Sequence, residues 1–252
     1  INQKDLYQLY PQEHWDLYKY SPAFALFMAP LAVLPDFAGL LIWNLLNVLI
    51  LTWAFRQLPL LTMGQKWMML GFVLLELITS IQNEQSNALI AGLLMLAFVQ
   101  LEKKKLFWAA LFIVLTVAIK LFGLVGFALF LFYPQKLKAA FYTLFWIVFF
   151  ALIPLLVVDA EQLICLYKSW WQLLKNDHSA SYGLSVAGWL YAWFGVDFKN
   201  LTVIAGVLLF CIPLLRLSMY NNLRFRALML ASVLLWVVIF NHKAESPTFI
   251  IA

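Results

Sequence analysis

The strongest constraint on the fold is a run of 28 residues, Leu106–Tyr133, in which Lys120 is the only charged residue. As a single α-helix this run would extend roughly 42 Å, whereas the hydrocarbon core of a bilayer is about 30 Å thick. It is therefore either one strongly tilted helix or two short helices that meet at Lys120. A lone ammonium at bilayer depth costs about 2.5–3.5 kcal/mol on insertion scales, so Lys120 is a candidate functional residue.

The composition indicates a membrane protein. Of the 252 residues, 65% are hydrophobic, 17% aromatic and 12% charged, and the mean hydropathy is +0.88. Soluble domains are less apolar, and the apolar runs do not alternate as the strands of a barrel do. We therefore predict an all-α, polytopic membrane protein. The net charge of +5 suits basic cytoplasmic loops and does not indicate a nucleic-acid partner. The two cysteines, Cys165 and Cys211, form no metal-binding spacing, and we expect neither a metal nor a cofactor.

Eight apolar segments have the length and character of spans. Two further apolar pieces, Pro22–Leu34 and Gly183–Phe194, are too short to cross a bilayer and predict juxtamembrane or re-entrant helices on the outer side. The predicted spans are Phe37–Phe55, Trp67–Ile81, Ala88–Leu101, Leu106–Ile119, Leu121–Tyr133, Phe141–Val158, Leu201–Leu215 and Ala227–Phe240.

Basic residues orient these segments, because cytoplasmic loops are enriched in lysine and arginine. If the two short pieces do not cross and Lys120 lies at the apex of a hairpin, the inner loops hold 10 of the 17 basic residues. A single crossing of Leu106–Tyr133 would place Arg216, Arg224 and Arg226 outside, which is disfavoured, and we adopt the hairpin. The inner basic residues are then Arg56, Lys66, Lys103, Lys104, Lys105, Lys136, Lys138, Arg216, Arg224 and Arg226.

These assignments predict one transmembrane domain over residues 1–252. Residues 1–36 form an outer loop with a juxtamembrane helix, and residues 37–158 form six spans. Residues 159–200 form an outer segment with a short helix, and residues 201–252 form two spans and the start of another. We expect a fragment that lacks spans at both ends.

Four polar features within this apolar chain are candidate sites. The cluster Gln82–Asn87 is either a tight hairpin loop, with Asn87 as the N-cap of the next helix, or a set of ligands for a sugar or phosphate. Glu76 has either a structural contact with Asn44, Asn47 or Lys120, or a role in proton relay. Lys120 either extends to the outer interface or binds a phosphate as a point charge. The segment Asn241–Pro247 is either a solvated loop before a helix or part of the same cavity as Lys120.

Several segments, in order, resemble glycosyltransferase family 87. KYSPAFALFMAPLAVLP followed by LIWNLLN is similar to the family's aromatic-x-Tyr-Pro-Pro, Pro-Leu-x-x-Leu-Pro and Trp-x-x-x-Asn stretch. EQSNALIAGLLMLAF resembles its Gly-Gln-x-Asn segment, with Glu84 in place of glycine. VAIKLFGLVGFALFLF resembles its Ala-x-x-Lys-x-x-Pro segment, with Gly123 in place of proline. HKAESPTFIIA resembles the late segment that contains a histidine.

The resemblance implies a GT-C-like helical bundle and an inverting transferase of the bacterial inner membrane, with its active site outside the cytoplasm. The donor would be a hexose, mannose, on a polyprenyl phosphate, and the acceptor a glycan or lipid. The general base would precede Ile1, although Asp5, Glu13 and Asp16 lie in the same outer loop. Lys120 and His242 would bind the leaving phosphate. The cleft would be lined by Tyr18, Tyr20, Gln85, Asn87 and Glu245.

Two other kinds of protein stay open at this point. A secondary transporter also contains buried Glu and Lys residues and broken helices, but it usually shows an internal repeat of spans, which this chain lacks. A non-catalytic membrane scaffold subunit is the third alternative, since the expected base is not in the sequence.

Overall fold

The computed structural model describes residues 4–12, 17–177, 183–241 and 244–252. These residues form α-helices and 3-10 helices and contain no strand. The 3-10 helices are Leu121–Phe132, Ile153–Leu156, Leu217–Met219 and Ser246–Ile251. The α-helices are α1 Pro22–Ala32, α2 Asp36–Gln57, α3 Met63–Phe72, α4 Leu74–Gln82, α5 Asn87–Glu102, α6 Leu106–Ile119, α7 Lys136–Leu152, α8 Ala160–Asp177, α9 Val186–Phe194, α10 Lys199–Leu214 and α11 Leu223–Ile239.

Helix α5 forms the centre of the molecule. Every residue from Asn87 to Val99 is buried, as expected of a helix that is apolar on all sides. Helices α2 and α6 pack along it. The side chain of Asn47 in α2 fixes the start of α5, because its Oδ1 accepts a hydrogen bond from the backbone N–H of Leu89 at 3.0 Å.

The chain reverses direction at Lys120, as the hairpin prediction requires. Helix α6 ends at Ile119, Lys120 is extended (φ −141°, ψ 132°), and a 3-10 helix follows. At about 2.0 Å per residue, its 12 residues extend roughly 24 Å. The 14 residues of α6 extend roughly 21 Å. The tighter helical form therefore lets the shorter segment match the length of its partner.

Two glycines let the 3-10 helix lie against its neighbours. A Cβ atom at Gly123 would lie 2.3 Å from Thr116 Oγ1, and one at Gly126 would lie 2.7 Å from Leu94 Cδ2. Both distances are shorter than any ordinary contact between such atoms. Glycine at these positions is therefore a condition of the close return of the hairpin.

The predicted span Trp67–Ile81 is two helices, α3 and α4, separated at Val73. The break places Glu76 in the first turn of α4, where the helix dipole favours a carboxylate. No hydrogen bond or ion pair joins Glu76 to Asn44, Asn47 or Lys120 in the part of the chain that the structure describes, so the structural alternative is not found. Asn47 bonds Trp43 and Leu89, and Lys120 bonds other residues.

The N-terminal segment packs on α8, which is an 18-residue helix that the sequence analysis did not predict. Tyr7 is buried against Leu166 and Leu173. The carboxylate of Asp5 accepts a hydrogen bond from Ser169 Oγ at 2.7 Å. The two segments assigned to the outer side therefore lie together.

Two helical segments are long and apolar enough to cross a membrane: Asp36–Gln57 with 22 residues and Lys136–Leu156 with 21. Five apolar helices of the described chain are shorter, and all of them except Asn87–Glu102 carry exposed large apolar side chains. The shorter apolar helices are Pro22–Ala32, Asn87–Glu102, Leu106–Ile119, Leu121–Phe132 and Lys199–Leu214.

An ion pair links three helices at the end of the bundle opposite Lys120. Arg226 Nε and Nη2 donate to Glu102 Oε1 and Oε2 at 2.7 and 2.8 Å. The hydroxyl of Tyr133 also donates to Glu102. The same end holds Lys103, whose Nζ donates to Gln57 Oε1 at 2.9 Å. We call this end the Glu102 end and the other the Lys120 end.

Candidate functional site

The ammonium of Lys120 is held by two neutral amides. Its Nζ donates to Gln85 Oε1 at 2.9 Å and to Asn87 Oδ1 at 3.0 Å. Gln85 lies in the turn between α4 and α5, and Asn87 is the first residue of α5. We call Lys120, Gln85 and Asn87 the polar cluster. Since an ammonium has three N–H donors, one is left without an acceptor among the described residues.

Asn87 joins the polar cluster to the C-terminal segment. It is buried, and its Nδ2 donates to the carbonyl of Pro247 at 3.0 Å. It is not the N-cap of α5, because Ser86 occupies that position and no side chain caps the helix. The prediction that Asn87 is a cap is therefore wrong, and its side chain is committed to Lys120 and Pro247.

The surroundings of Lys120, which lies between α6 and the 3-10 helix Leu121–Phe132, change its pKa. Burial lowers the pKa of Lys120 to about 8, the negative charge of Glu245 raises it, and Lys19 lowers it further. Glu245 lies immediately before the 3-10 helix Ser246–Ile251. Lys120 is therefore half-buried and bonded, and does not extend freely to an interface.

A cleft of about 500 Å³ opens between α1 and α2. One part is aromatic and polar, and the rest is largely aliphatic. Of the residues expected to line the substrate cleft, Tyr18 and Tyr20 line this one, whereas Gln85, Asn87 and Glu245 do not. The lining residues are Tyr18, Tyr20, Phe24, Met28, Leu31, Ala32, Leu34, Asp36, Gly39, Leu40, Trp43 and Glu84.

Ring contacts build the aromatic part of this cleft. The ring centroids are 5.5 Å apart for Tyr18 and Tyr20, 5.0 Å for Tyr20 and Phe24, and 6.0 Å for Phe24 and Trp43. Burial also raises the pKa of Tyr18 above its ordinary value, so the phenol stays neutral, and its hydroxyl donates to the Ser21 carbonyl at 3.4 Å.

The cleft adjoins the polar cluster through the backbone. Glu84 lines the cleft and precedes Gln85 directly. On the other side, the backbone N–H of Ser21 donates to the carbonyl of Ala118 at 3.3 Å. Tyr20 directly precedes Ser21, and Lys120 follows Ala118 by two residues, so this hydrogen bond links the cleft wall to the segment that carries Lys120.

The remaining predicted residues either lie outside the described residues or take part in structural hydrogen bonds. His242 lies outside the described residues, as do Glu13 and Asp16. Both carboxylate oxygens of Asp5 accept structural hydrogen bonds: Oδ1 from the Tyr7 N–H at 3.1 Å, and Oδ2 from the hydroxyl of Ser169. No group of three or more metal-ligating side chains occurs within the described ranges.

The sequence analysis did not assign Glu84 and Asp36 to the cleft. Glu84 belongs to the polar segment Gln82–Asn87 and replaces the glycine of the resembled pattern. That replacement was a signal that could have marked it as a site residue. The packing of α1 on α2 brings Asp36 to the same cleft, and no local pattern marks that approach.

The sequence model of glycosyltransferase family 87 matches residues 18–240. Neither a curated protein nor a solved structure matches the chain. The matched range contains α1 to α11 and includes both the cleft and the polar cluster. The chain belongs to glycosyltransferase family 87 and is a membrane glycosyltransferase.

Proposed function

We propose that this protein transfers a hexose, mannose, from a polyprenyl phosphate to a glycan or lipid acceptor, with inversion at the anomeric carbon. The supporting observation is the ammonium of Lys120, which is bonded to the neutral side chains of Gln85 and Asn87 beside an amphipathic cleft. A lysine that bonds a carboxylate has its charge balanced. Here, no carboxylate bonds the ammonium within the described ranges.

Such a lysine suits a leaving phosphate. As the bond between the anomeric carbon and the phosphate oxygen breaks, negative charge grows on the phosphate, and a fixed cation stabilises that charge. Gln85 and Asn87 hold the ammonium in place before the reaction, so little reorganisation is needed. His242 is proposed as a second donor to the same phosphate.

The acceptor hydroxyl attacks the anomeric carbon from the face opposite the phosphate. Its proton passes to a carboxylate base, and its oxygen forms the new glycosidic bond. We assign the role of this base to none of the described residues. The phosphate leaves with the bonding electrons, so the step involves no change of oxidation state and needs no redox cofactor.

The cleft suits a lipid-linked sugar. Its aliphatic part includes Met28, Leu31, Leu34 and Leu40, and the exposed side chain of Leu41 follows on α2. These surfaces match the isoprenoid units next to the phosphate, and the aromatic part matches the sugar. Partners are therefore the lipid-linked donor, the acceptor and membrane lipids.

We place the site on the outer side of a bacterial inner membrane, and the distribution of basic residues supports this sidedness. The basic residues assigned to inner loops include Lys103, Lys66 and Arg226. Lys66 Nζ donates to the Arg56 carbonyl at 2.7 Å, and Lys103 and Arg226 belong to the Glu102 end. By the positive-inside rule this end faces the cytoplasm, so the Lys120 end faces outward.

A transfer assay tests the proposed function. The full-length protein in membranes is given radiolabelled polyprenyl-phosphate-mannose, and labelled product is measured for wild type, Lys120→Ala, His242→Ala and the control Lys104→Ala. We expect transfer by the wild type and the control, and its loss in the other two at equal expression. Absence of transfer from any lipid-linked hexose in the wild type would contradict the proposal and favour a transporter or scaffold.

A further inference from the structure

Helix α4 ends in a left-handed turn whose key residue is Glu84. Its φ is +53°. The Glu84 N–H donates to the Ile81 carbonyl at 2.9 Å, and the Gln85 N–H donates to the Ser80 carbonyl at 3.0 Å. This is the Schellman arrangement, which favours glycine at the left-handed position because a side chain is strained there. The backbone alone therefore gives no reason for a glutamate.

Helix α5 ends in the same arrangement around Lys104. Its φ is +59°. The Lys104 N–H donates to the Leu101 carbonyl at 2.9 Å, and the Lys105 N–H donates to the Gln100 carbonyl at 2.8 Å. The two helix ends thus carry the same backbone strain. Both residues are exposed, and they differ in position, because Lys104 lies at the Glu102 end, whereas Glu84 lines the cleft.

The backbone of Glu84 is fixed against the wall of the cleft. The indole Nε1 of Trp43 donates to the Glu84 carbonyl at 3.0 Å. No hydrogen bond or ion pair occupies its carboxylate in the part of the chain that the structure describes. Asp36 is the second carboxylate of the cleft, and the described lining contains no lysine or arginine.

This combination of charge and surface selects a class of ligand. Two carboxylates repel an anion, so the phosphate of a lipid-linked sugar is disfavoured beside Glu84 and Asp36 and is favoured near Lys120. A carboxylate accepts hydrogen bonds from hydroxyl groups, and the rings of Tyr18, Tyr20 and Trp43 provide flat apolar surfaces. A neutral hexose has both hydroxyl groups and apolar ring faces.

We propose that Glu84 is a specificity-determining residue whose carboxylate accepts hydrogen bonds from the hydroxyl groups of a hexose in this cleft. The proposal rests on the proposed function, because it assigns the sugar-binding part of that site. The hexose belongs either to the donor or to the acceptor. The strained backbone supports this assignment only together with the position of Glu84 in the cleft, because Lys104 carries the same strain outside it.

The test compares glycine at the two equivalent helix ends. Glu84→Gly and Lys104→Gly remove the same backbone strain. Glu84→Gln keeps the length of the side chain and removes only its charge. Full-length proteins are compared by thermal unfolding and by transfer kinetics. Radiolabelled polyprenyl-phosphate-mannose is the varied donor, and a membrane lipid and glycan extract is the varied acceptor.

We expect both glycine variants to unfold about 2–4 °C above the wild type. Lys104→Gly should leave both KM values unchanged. Glu84→Gly should raise one KM by about tenfold or more, as expected for a lost hydrogen bond to a charged group. Glu84→Gln should raise the same KM by less, because its amide oxygen still accepts hydrogen bonds. The substrate whose KM rises identifies the source of the hexose.

The outcomes separate this inference from the proposed function. If the wild type transfers sugar but both KM values are unchanged in Glu84→Gly and Glu84→Gln, the side chain contacts no substrate and the inference is wrong. If the wild type transfers no hexose from any lipid-linked donor, the proposed function fails and the inference fails with it.

Discussion

Lys120 and Asn87 lie 33 positions apart in the sequence, yet Lys120 Nζ donates to Asn87 Oδ1 at 3.0 Å. Asn87 also donates to the carbonyl of Pro247. One buried amide therefore connects the apex of the hairpin, the central helix α5 and the C-terminal segment. The charge and position of Lys120 depend on this amide remaining neutral.

Replacing Asn87 with aspartate should inactivate the protein. Asn87→Asp places a carboxylate against the ammonium and balances the charge that the phosphate requires, and it removes the donor to Pro247. We expect transfer to fall by about 100-fold or more, since a lost charge interaction with the phosphate is worth several kcal/mol. Asn83→Asp is the control, because Asn83 is exposed on the same turn. Equal activity of the two variants would show that Asn87 is not part of the site.

The pH dependence of donor binding should follow Lys120. Burial lowers the pKa of Lys120 to about 8, so the charged form dominates below that pH and is lost above it. The KM for the donor should be constant below pH 8 and rise about tenfold per unit above it. Lys120→Arg should move this rise to higher pH, because a guanidinium stays charged. A pH profile shared by wild type and Lys120→Arg would assign the titration to another group.

The hairpin should not tolerate a side chain at Gly123. In Gly123→Ala the new Cβ would meet Thr116 Oγ1 at 2.3 Å and the Thr116 carbonyl carbon at 2.8 Å, and the 3-10 helix must move. We expect a loss of about 1–3 kcal/mol in the free energy of unfolding. Gly71→Ala is the matched control, because its Cβ would meet nothing within 4 Å. Denaturant titration in detergent measures both. Similar stability of Gly123→Ala and wild type would contradict the tight hairpin.

The Glu102–Arg226 pair should affect stability without affecting chemistry. Arg226→Met leaves the half-buried Glu102 carboxylate without its bidentate partner, with an expected cost of about 2–4 kcal/mol. The donor KM of the folded protein should be unchanged, since the pair lies at the opposite end from Lys120. Arg224→Met, at an exposed position, should change neither quantity. A donor KM altered in Arg226→Met would indicate that the two ends are coupled.

The sequence predicted the features that depend on local pattern. The bounds of α6 match the prediction because an uninterrupted apolar run ends at a charged residue. Tyr18 and Tyr20, named through the resemblance, line the cleft, and their role in substrate binding stays a prediction. The 3-10 form of Leu121–Phe132 was not predicted, because it depends on how closely Gly123 approaches Thr116.

Tertiary packing decides what the sequence could not show. The left-handed backbone of Glu84 arises at the end of α4, which Trp43 contacts through its indole. The bond of Asn87 to Pro247 joins residues 160 positions apart. Helix α8 was not predicted because its many polar residues resemble those of a loop. Its apolar side chains nevertheless bury Tyr7.

The most direct test of the central claim is binding of the donor to Lys120. Equilibrium binding of radiolabelled polyprenyl-phosphate-mannose to the full-length protein in lipid nanodiscs is measured for wild type, Lys120→Met and Lys104→Met. The account predicts a Kd at least about tenfold higher for Lys120→Met, as expected for loss of a charge-assisted contact, and a wild-type Kd for Lys104→Met. Equal affinity of Lys120→Met and wild type would contradict the assignment of Lys120 as the phosphate-binding residue.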